Sequence, residues 1–356
     1  MADKETPMRP EGGYRIACLD GDGIGPEVMA ATRTVLEATG VAFQWVPVAA
    51  GAGAMALHGT SMPEDTMKMI EGCHAAIKGP TTTPIGIGHK SANVELRQSL
   101  GLYANLRPVL SLPGVHSRYE NVDLVIVREN TEDLYSGIEF VVAPGVVTGM
   151  KVITEKASTR IAEFAFQYAV RMGRRRITAV HKANIMKLAD GLFLQCCRQV
   201  AAKYTRIAYD EIIVDNLCMQ LVRDPTRFDM LLTENLYGDI VSDLCAGLVG
   251  GLGVVPGANL GDKVSVFEAV HGSAPDIAGK HVANPTALIL SSALMMEYLN
   301  EPVAAKQIRR AIDQVYAHTK IRTPDLGGPA TTDIFTSAVV DQVRRFVLEA
   351  QAPQVL

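Results

Sequence analysis

Residues 14–40 read YRIACLDGDGIGPEVMAATRTVLEATG and contain the pattern that decides the fold. Residues 14–20 are mainly apolar, which is typical of a buried strand. The glycines of GDGIGP predict a tight turn, and Pro26 fits the first turn of a helix, so we predict a helix from about Pro26 to Thr39. A buried strand followed by a turn and a helix is the repeating unit of α/β proteins.

Apolar runs that end in charged or amide side chains recur along the chain. They lie at residues 75–80, 122–130, 176–184 and 228–235. Their alternation with helical patterns predicts an α/β protein with much parallel sheet. Ligands of such sheets bind at the carboxyl ends of the strands. The polar residues at these ends are Lys78, Arg128, Glu129, Lys182 and Asn235.

The composition limits the class of protein. The chain has 356 residues, enough for two domains or one large α/β unit. Its formal net charge is −4 and it has no block of Lys or Arg, so we expect neither nucleic acid nor an acidic membrane as a partner. The six cysteines form no C-x-x-C pair, which indicates reduced thiols rather than disulfides or a zinc site.

Two segments bear on the location of the protein. The N-terminal residues MADKETPMRPEGG are polar and lack an apolar signal core, so we expect a cytoplasmic protein. The longest uncharged run, Leu244 to Gly261, contains Pro256 and several glycines. It is therefore interpreted as a helix end followed by a loop, and we expect no membrane span.

The glycine-rich turn after the first strand superficially suggests a dinucleotide site. Its pattern is G-x-G-x-G-P over residues 21–26, whereas the fingerprint of Rossmann domains requires G-x-G-x-x-G. No acidic residue follows a second strand at the expected distance either. Two interpretations remain open: a tight strand-to-helix turn alone, or a turn that also approaches a cofactor.

Asp239 and Asp243 are four residues apart in NLYGDIVSDLCAG, a segment that we predict to begin a helix near Asn235. This spacing places both carboxylates on one helix face, where they repel each other unless they bind a cation or face solvent. The apolar flanking residues argue against simple exposure. Carboxylate oxygens suit Mg²⁺ or Mn²⁺, and Asp215, which follows an apolar strand-like run, is a candidate third ligand.

Arg97, Arg107 and Arg128 each lie among apolar residues. Three converging arginines would hold several carboxylates by paired hydrogen bonds, although Arg97 alone is more typical of a surface salt bridge. Lys182 and Tyr135 are ordinary polar residues when taken singly. Beside a metal ion and arginines they become candidates for proton transfer, because a nearby cation and desolvation lower the pKa of a lysine.

Long motifs carry a resemblance to a known family. They are KGPTTTP from Lys78, LYANLRP from Leu102, RENTEDLYSGIE from Arg128, TAVHKANIMK from Thr178, NLYGDIVSDLCAGLVGGLG from Asn235 and HGSAPDIAGKHVANP from His271. Over nearly its whole length the chain resembles the β-decarboxylating dehydrogenases, which act on isocitrate, isopropylmalate, homoisocitrate or tartrate. It is most similar to the NAD-dependent isocitrate branch.

The resemblance implies an α/β fold of two domains with a large, partly parallel sheet flanked by helices, distinct from the Rossmann fold. The large domain would contain residues 1–102 and 255–356, and the small domain residues 103–254. The resemblance also implies a homodimer in which each active site borrows Lys182 and Asp215 from the neighbouring subunit.

The resemblance implies a small tricarboxylate as the substrate. Ser91 and Asn93 would bind the carboxylate that distinguishes isocitrate, where isopropylmalate enzymes need an apolar pocket. The remaining carboxylates would be held by Arg97, Arg107 and Arg128. Homoisocitrate and 3-isopropylmalate remain alternative substrates, because the ending RTPDLGG is shared with those branches.

The resemblance also assigns the chemical roles. Lys182 would remove the hydroxyl proton, and Tyr135 would protonate the enol after CO₂ leaves. The ligands of Mg²⁺ or Mn²⁺ would be Asp215, Asp239 and Asp243. A non-catalytic regulatory subunit is a weaker alternative, because such subunits lose catalytic or metal residues and this chain retains all five.

The resemblance assigns NAD to two segments. Thr83 would lie near the nicotinamide. The residues around the adenosine half would be Glu268, His271, Gly272, Ser273, Ala274, Asp276, Ile277 and Asn284. NADP-using relatives hold the 2′-phosphate with a Lys-Tyr pair, and this chain has Asp276 and Ile277 at those positions.

We predict that the chain uses NAD rather than NADP, because the Asp276 carboxylate accepts a hydrogen bond from a ribose 2′-hydroxyl and repels a 2′-phosphate. Initial rates over a series of coenzyme concentrations measure the preference. A higher kcat/KM with NADP would contradict this prediction.

Overall fold

The computed structural model describes residues 10–82 and 91–351. Within these residues the strands are β1 Tyr14–Leu19, β2 Phe43–Pro47, β3 Ala75–Lys78, β4 Ala104–Leu110, β5 Asp123–Glu129, β6 Glu139–Ala143, β7 Val146–Gly149, β8 Arg176–His181, β9 Ala208–Ile213, β10 Met230–Thr233, β11 Pro256–Leu260 and β12 Ser265–Ala269. The helices are α1 Gly25–Glu37, α2 Gly51–His58, α3 Glu64–Glu71, α4 Ala92–Ser99, α5 Glu155–Met172, α6 Ala189–Ala201, α7 Val214–Arg223, α8 Asn235–Leu248, α9 Thr286–Tyr298, α10 Pro302–His318 and α11 Thr332–Gln351.

Ten of these strands form one sheet in the order β2-β1-β3-β12-β11-β4-β5-β10-β8-β9. Its outer pairs are parallel, and the central pairs β12–β11, β11–β4 and β4–β5 are antiparallel. The predicted fold class, an α/β protein with a large, partly parallel sheet, is confirmed. The strands on one side of the β11–β4 pair come from residues before 103 or after 254, and those on the other side from residues 103–254. The division into two domains stays a prediction.

The local predictions from sequence are largely confirmed. The strand and the helix expected in residues 14–40 are β1 and α1, and the other predicted strands are present as β3, β5, β8 and β10. The interpretation of Leu244–Gly261 is wrong in its second half, where β11 forms instead of a loop. Pro256 is the first residue of that strand, a position at which the missing N–H of proline is tolerated.

Both faces of the sheet are buried. On β1, Ile16 and Cys18 belong to a cluster that includes α1 and α9, whereas Ala17 and Leu19 pack with residues of α3 and α4. Helix α9 is buried along nearly its whole length and contacts β11, β12 and α10. Such an apolar helix is typical of an element that lies between a sheet and an outer helix.

Two expectations about the chain as a whole concern cysteines and membranes. All six cysteines are free thiols, and burial raises the pKa of Cys18 to about 12, which keeps that thiol protonated at neutral pH. Among the helices in the described ranges, none is both long and apolar enough to cross a membrane.

The glycine-rich turn packs tightly against two other segments. Gly23 has a φ of +59°, and a Cβ atom built on it would lie 1.9 Å from the backbone oxygen of Ser273. The amide of Ile24 donates to that same oxygen at 2.9 Å, and the Asp22 carboxylate accepts from the amide of Thr82 at 2.8 Å. The turn therefore requires glycine and fixes the position of the chain around Ser273.

We predict that Gly23→Ala destabilises the fold far more than Gly40→Ala. Both glycines have positive φ angles, +59° and +76°, so the left-handed backbone costs each alanine about 1–2 kcal/mol. Only at position 23 does the new Cβ also collide with backbone, since nothing lies within 4 Å at position 40. Midpoints of urea unfolding measure both losses, and equal losses would contradict the prediction.

Candidate active site

Three buried arginines converge near the centre of the sheet. Arg107 lies on β4, Arg128 on the neighbouring strand β5, and Arg97 on α4. Their exposed fractions are 8% for Arg97, 5% for Arg107 and 0% for Arg128. The interpretation of Arg97 as a surface salt-bridge residue is therefore wrong. Its Nε atom is buried without a hydrogen-bond partner, which leaves a donor available for a ligand.

Helix α8 supplies the partners of two arginines. The Arg128 guanidinium donates to Asn235 Oδ1 from Nε (3.0 Å) and from Nη2 (2.7 Å), and to the Asp239 carboxylate from Nη1. The Arg107 guanidinium lies 3.3 Å from Asp243 Oδ1 and 3.6 Å from Asp239 Oδ1. Because α8 begins at Asn235, its successive turns present these three side chains on one face.

Burial and the positive charges of the neighbouring arginines lower the pKa values of Arg107 and Arg128. Burial, together with the nearby charges of Arg107 and Arg97, lowers the pKa of Arg128 to about 10. Burial also lowers the pKa of Arg107, against the opposing charge of Asp239. Both groups still carry a positive charge at neutral pH, so their repulsion favours binding of an anion with several carboxylates.

Arg97 and Arg107 line a pocket, which we call the arginine pocket. A fourth cation, Lys78, and the carboxylate of Glu268 complete its wall. Glu268 on β12 accepts hydrogen bonds from Lys78 Nζ at 2.6 Å, from Arg97 Nη2 at 3.0 Å and from Asn259 Nδ2 at 2.7 Å. Burial opposes ionisation of Glu268, yet Lys78 and Arg97 hold its pKa far below the usual range. The resemblance grouped Glu268 with the adenosine residues, and in the structure its carboxylate also lines the arginine pocket. The sequence predicted Lys78 at the end of a strand but did not predict its ion pair with Glu268.

Tyr135 lies beside the same helix. Its hydroxyl donates to Asp239 Oδ2 at 2.5 Å, and the guanidinium carbon of Arg128 lies 5.1 Å from the centre of its ring. Burial raises the pKa of Tyr135 even though Arg128 is close, so the phenol is protonated at neutral pH. A neutral phenol beside the arginines is able to donate a proton.

Lys182 and Asp215 form a second group, apart from the arginines. Lys182 Nζ lies 2.5 Å from Asp215 Oδ1, and the two side chains are 29% and 68% exposed. Asp215 lies in the first turn of α7 and follows the edge strand β9, whereas Asp239 and Asp243 follow β10, two strands away. The three aspartates therefore do not meet within one chain. In residues 10–82 and 91–351, no set of three or more His, Cys, Asp or Glu side chains is arranged to hold a metal ion.

The aspartates of α8 fit part of a divalent metal site. Asp239 and Asp243 lie on adjacent helical turns, and their side chains are 38% and 56% exposed, so a ligand can reach them. Carboxylate oxygens suit Mg²⁺ or Mn²⁺. Two carboxylates are fewer ligands than such an ion needs, so water, substrate or a second chain must supply the others.

The residues expected to distinguish the substrate lie at the start of α4. Ser91 immediately precedes the helix, and Asn93 lies in its first turn. Thr81 Oγ1 donates to Asn93 Oδ1 at 3.0 Å, and Asn93 lines the same pocket as Arg97 and Arg107. This side of the pocket is therefore polar.

The residues expected to bind NAD follow β12. His271 and Gly272 border the arginine pocket, and the buried Nε2 of His271 has no hydrogen-bond partner in the structure. Further along the chain lie Ser273, Ala274, Asp276, Ile277 and Asn284. Asp276 is exposed, whereas Ile277 packs against the core. Thr83 lies outside the described residues.

A buried ionic cluster near Lys182 was not predicted. Lys151 Nζ donates to Glu234 Oε2 at 2.6 Å and to the Asp190 carboxylate, and all three side chains are at most 7% exposed. Burial and the neighbouring Asp190 raise the pKa of Glu234 to about 8, despite Lys151. Sequence spacing could not join these residues, because they lie far apart along the chain.

The family model described as isocitrate/isopropylmalate dehydrogenase matches residues 15–343. The chain therefore belongs to the isocitrate/isopropylmalate dehydrogenase family. It is 51% identical over 324 residues to the mitochondrial NAD isocitrate dehydrogenase catalytic subunit 5 of Arabidopsis thaliana, which covers 91% of this chain and 87% of that protein. It is 48% identical over 330 residues to a mitochondrial regulatory subunit of the NAD isocitrate dehydrogenase of Dictyostelium discoideum, which covers 92% of each. The crystal structure of isocitrate dehydrogenase from Methylococcus capsulatus matches with a TM-score of 0.91 and 48% identity, covering 93% of this chain and 99% of that one.

The cytoplasmic location expected from the N-terminal residues is wrong on this comparison, because these eukaryotic relatives are named mitochondrial proteins. The expectation considered only the apolar core of a secretory signal. Organelle transit peptides are amphipathic and have no such core, so its absence does not exclude an organelle.

We predict that Glu234 makes the folded state less stable as the pH rises towards 8. The pKa of Glu234 is about 8 in the folded state and has the ordinary value of 4.5 in the unfolded state. The protonated side chain therefore contributes fully to the free energy of unfolding below pH 4.5, and this contribution is lost as the pH rises through 8. Glu234→Gln cannot ionise, so its unfolding midpoint should fall less than that of the wild type between about pH 6 and about pH 9. The exposed Glu349→Gln is the control, and it should follow the wild-type curve. A Glu234→Gln curve parallel to the wild type would contradict the prediction.

Proposed function

We propose that the chain catalyses the NAD-dependent oxidative decarboxylation of isocitrate to 2-oxoglutarate and CO₂, assisted by Mg²⁺ or Mn²⁺. The observation that carries this proposal is the buried convergence of Arg97, Arg107 and Arg128 beside the carboxylates of α8. The similarity to subunits named NAD isocitrate dehydrogenase supports it.

The charges of the pocket suit a tricarboxylate. The four cations Lys78, Arg97, Arg107 and Arg128 face the three carboxylates of Glu268, Asp239 and Asp243, which leaves one excess positive charge. A divalent ion at the α8 carboxylates raises that excess to three, the charge of a fully ionised tricarboxylate. A dicarboxylate such as 3-isopropylmalate would leave one buried positive charge without a partner, which is costly.

The start of α4 also favours a carboxylate over an alkyl group. Asn93 and Thr81 form a polar wall next to Arg97. An alkyl substituent would leave these donors and acceptors unpaired, at about 1–3 kcal/mol for each buried group. The alternatives are 3-isopropylmalate, which the family description includes, and homoisocitrate, whose extra methylene needs only modest room.

The chain's own side chains would orient the substrate and move its protons. Asp239 and Asp243 would hold the divalent ion, which would supply positive charge to the substrate hydroxyl, and NAD would provide the hydride acceptor. Lys182 would take the hydroxyl proton as a neutral amine, after its own ammonium proton has passed to solvent, and its contact with Asp215 holds the group in place. The arginines hold the carboxylates that stay on the product. Tyr135 then delivers the proton of its neutral phenol to the carbon from which CO₂ has left.

The active site is complete only if Lys182 and Asp215 come from a second copy of the chain, because they lie apart from Asp239 in one copy. The hairpin of β6 and β7 supports association, since it exposes Phe140 (53%) and Val141 (76%) to solvent. Several large apolar side chains of this hairpin are exposed, which is typical of an interaction surface. We therefore propose a homodimer with shared active sites. A mixed assembly is the alternative that a relative named as a regulatory subunit raises.

We also propose that residues 1–102 with 255–356 form a large domain and residues 103–254 a small one. The half of the sheet from β2 to β11 would then belong to the large domain and the half from β4 to β9 to the small one, with β11 and β4 at the junction. Arg97 and Glu268 would come from the large domain, and Arg107 and Arg128 from the small one. The substrate would bind between the two.

A substrate panel tests the proposed function. The purified chain is assayed with NAD on isocitrate, homoisocitrate, 3-isopropylmalate, malate and tartrate, with and without EDTA. We expect isocitrate to have the highest kcat/KM, by about 5- to 150-fold over 3-isopropylmalate, because one unpaired buried group costs about 1–3 kcal/mol. EDTA should abolish turnover, and Mn²⁺ should restore it.

Lys182→Met is the matched variant for this panel. It should retain the fold and lose about 10²–10⁴-fold in kcat, the usual contribution of a positioned base. The exposed Lys156→Met on α5 should keep wild-type turnover. Highest activity on 3-isopropylmalate, or isocitrate turnover that EDTA leaves unchanged, would contradict the proposal.

A further inference from the structure

A buried acid holds the backbone at Lys182. Asp190 lies in the first turn of α6 and is 0% exposed. Its Oδ2 atom accepts a hydrogen bond from the backbone amide of Lys182 at 2.6 Å, and its Oδ1 atom accepts from Lys151 Nζ. Both oxygens are therefore engaged, and the position of Lys182 depends on an acid that is itself held by Lys151.

The same lysine contacts the beginning of α8. Lys151 Nζ donates to Glu234 Oε2 at 2.6 Å, and it lies 3.5 Å from the hydroxyl and 4.5 Å from the ring centre of Tyr237. Glu234 immediately precedes the helix that carries Asp239. One buried ammonium group thus joins the segment after β8 to the start of α8.

We propose that Lys151 is a positioning residue, which acts through Asp190 to hold Lys182 for proton transfer. This inference rests on the proposed function, because that function gives Lys182 its role. Lys151 touches none of the arginines that hold the substrate carboxylates in the proposed site.

The charge balance explains why Lys151 is needed. Asp190 and Glu234 are both buried against a single cation, and Glu234 Oε1 is buried without a partner. Without Lys151 the Asp190 carboxylate loses its only ion-pair partner within the described residues, and a buried charge without a partner is costly. The Asp190 carboxylate then moves towards other donors or water, so the Lys182 amide loses a charged acceptor and the lysine shifts. Small shifts of a reacting group reduce turnover by large factors.

Substrate binding should survive this change. The start of α8 is held independently, because Asp133 Oδ2 accepts from the amide of Leu236 at 2.8 Å and Asn235 binds Arg128. The arginine pocket therefore remains in place when Lys151 is lost. Loss of Lys151 should reduce kcat rather than raise KM.

The test compares Lys151→Met, Lys151→Arg and Lys203→Met in the full-length chain with saturating NAD and Mn²⁺. Lys151→Met should lower kcat about 10- to 100-fold, in line with a displaced reacting group, with KM for the substrate unchanged within about threefold. Lys151→Arg restores the cation and should recover most of kcat. Lys203→Met, which removes an exposed lysine paired with Glu163, should match the wild type.

Hydrogen–deuterium exchange gives a readout that does not depend on turnover. In Lys151→Met the peptide spanning residues 178–187 should lose protection, and peptides of β4 and β5 should not. If the single variant does not fold, Lys151→Met with Glu234→Met removes the buried pair together and should fold, because a buried ion pair is replaceable by apolar side chains. This double variant should keep the kcat defect, since Asp190 still lacks its cation.

The outcomes separate this proposal from the proposed function. The kcat comparison uses whichever substrate of the panel the wild-type chain turns over. Wild-type turnover of another substrate in place of isocitrate would contradict the proposed function and leave this comparison intact. Wild-type kcat in Lys151→Met, a raised KM with unchanged kcat, or no recovery in Lys151→Arg would overturn the positioning role.

Discussion

The site is built around three guanidinium groups that are buried close together, two of which line the arginine pocket. A buried cation is costly unless charged or polar partners surround it, so each arginine needs a partner from another element. Helix α8 provides them for Arg107 and Arg128, and β12 provides Glu268 for Arg97. The antiparallel centre of the sheet is where these elements can meet, because β4, β5, β11 and β12 are neighbours there.

Amide side chains connect the two sides of this pocket. Asn105 on β4 accepts from Arg107 Nε at 2.8 Å and donates to Asn259 on β11 at 2.9 Å. Asn259 in turn donates to Glu268 at 2.7 Å. The arginine of one half of the sheet is thus linked to the carboxylate of the other half by uncharged groups. The network pairs the side chains of Asn105 and Asn259 but leaves Arg97 Nε without a partner, which makes it available for a ligand.

Local patterns predicted the elements and the residue types of the site, but not the partners of each residue. The strand, turn and helix of residues 14–40 follow from short-range rules of apolar runs, glycine and proline. The four-residue spacing of Asp239 and Asp243 placed both on one helix face.

The pairing of Glu268 with Lys78 could not be predicted, because it depends on the order of β3 and β12 in the sheet. Sheet order also determines where the aspartates lie. Asp215 and Asp239 both follow strands, but β8 lies between those strands and keeps the two acids apart within one chain. Asp215 therefore stays a predicted ligand from a second chain. The segment after α8 has turn-forming glycines, yet tertiary pairing with β4 and β12 makes β11 a strand. The cluster of Lys151, Asp190 and Glu234 could not be predicted, since only folding brings its members together.

In the proposed site, the α8 carboxylates balance the arginines until a divalent ion neutralises those carboxylates and releases the arginines for the substrate. Calorimetric titration of isocitrate with and without Mn²⁺, in the absence of NAD, measures this coupling. Mn²⁺ should lower the Kd of isocitrate by about tenfold or more, and isocitrate should raise the affinity for Mn²⁺ by the same factor. Equal isocitrate affinity with and without Mn²⁺ would contradict it.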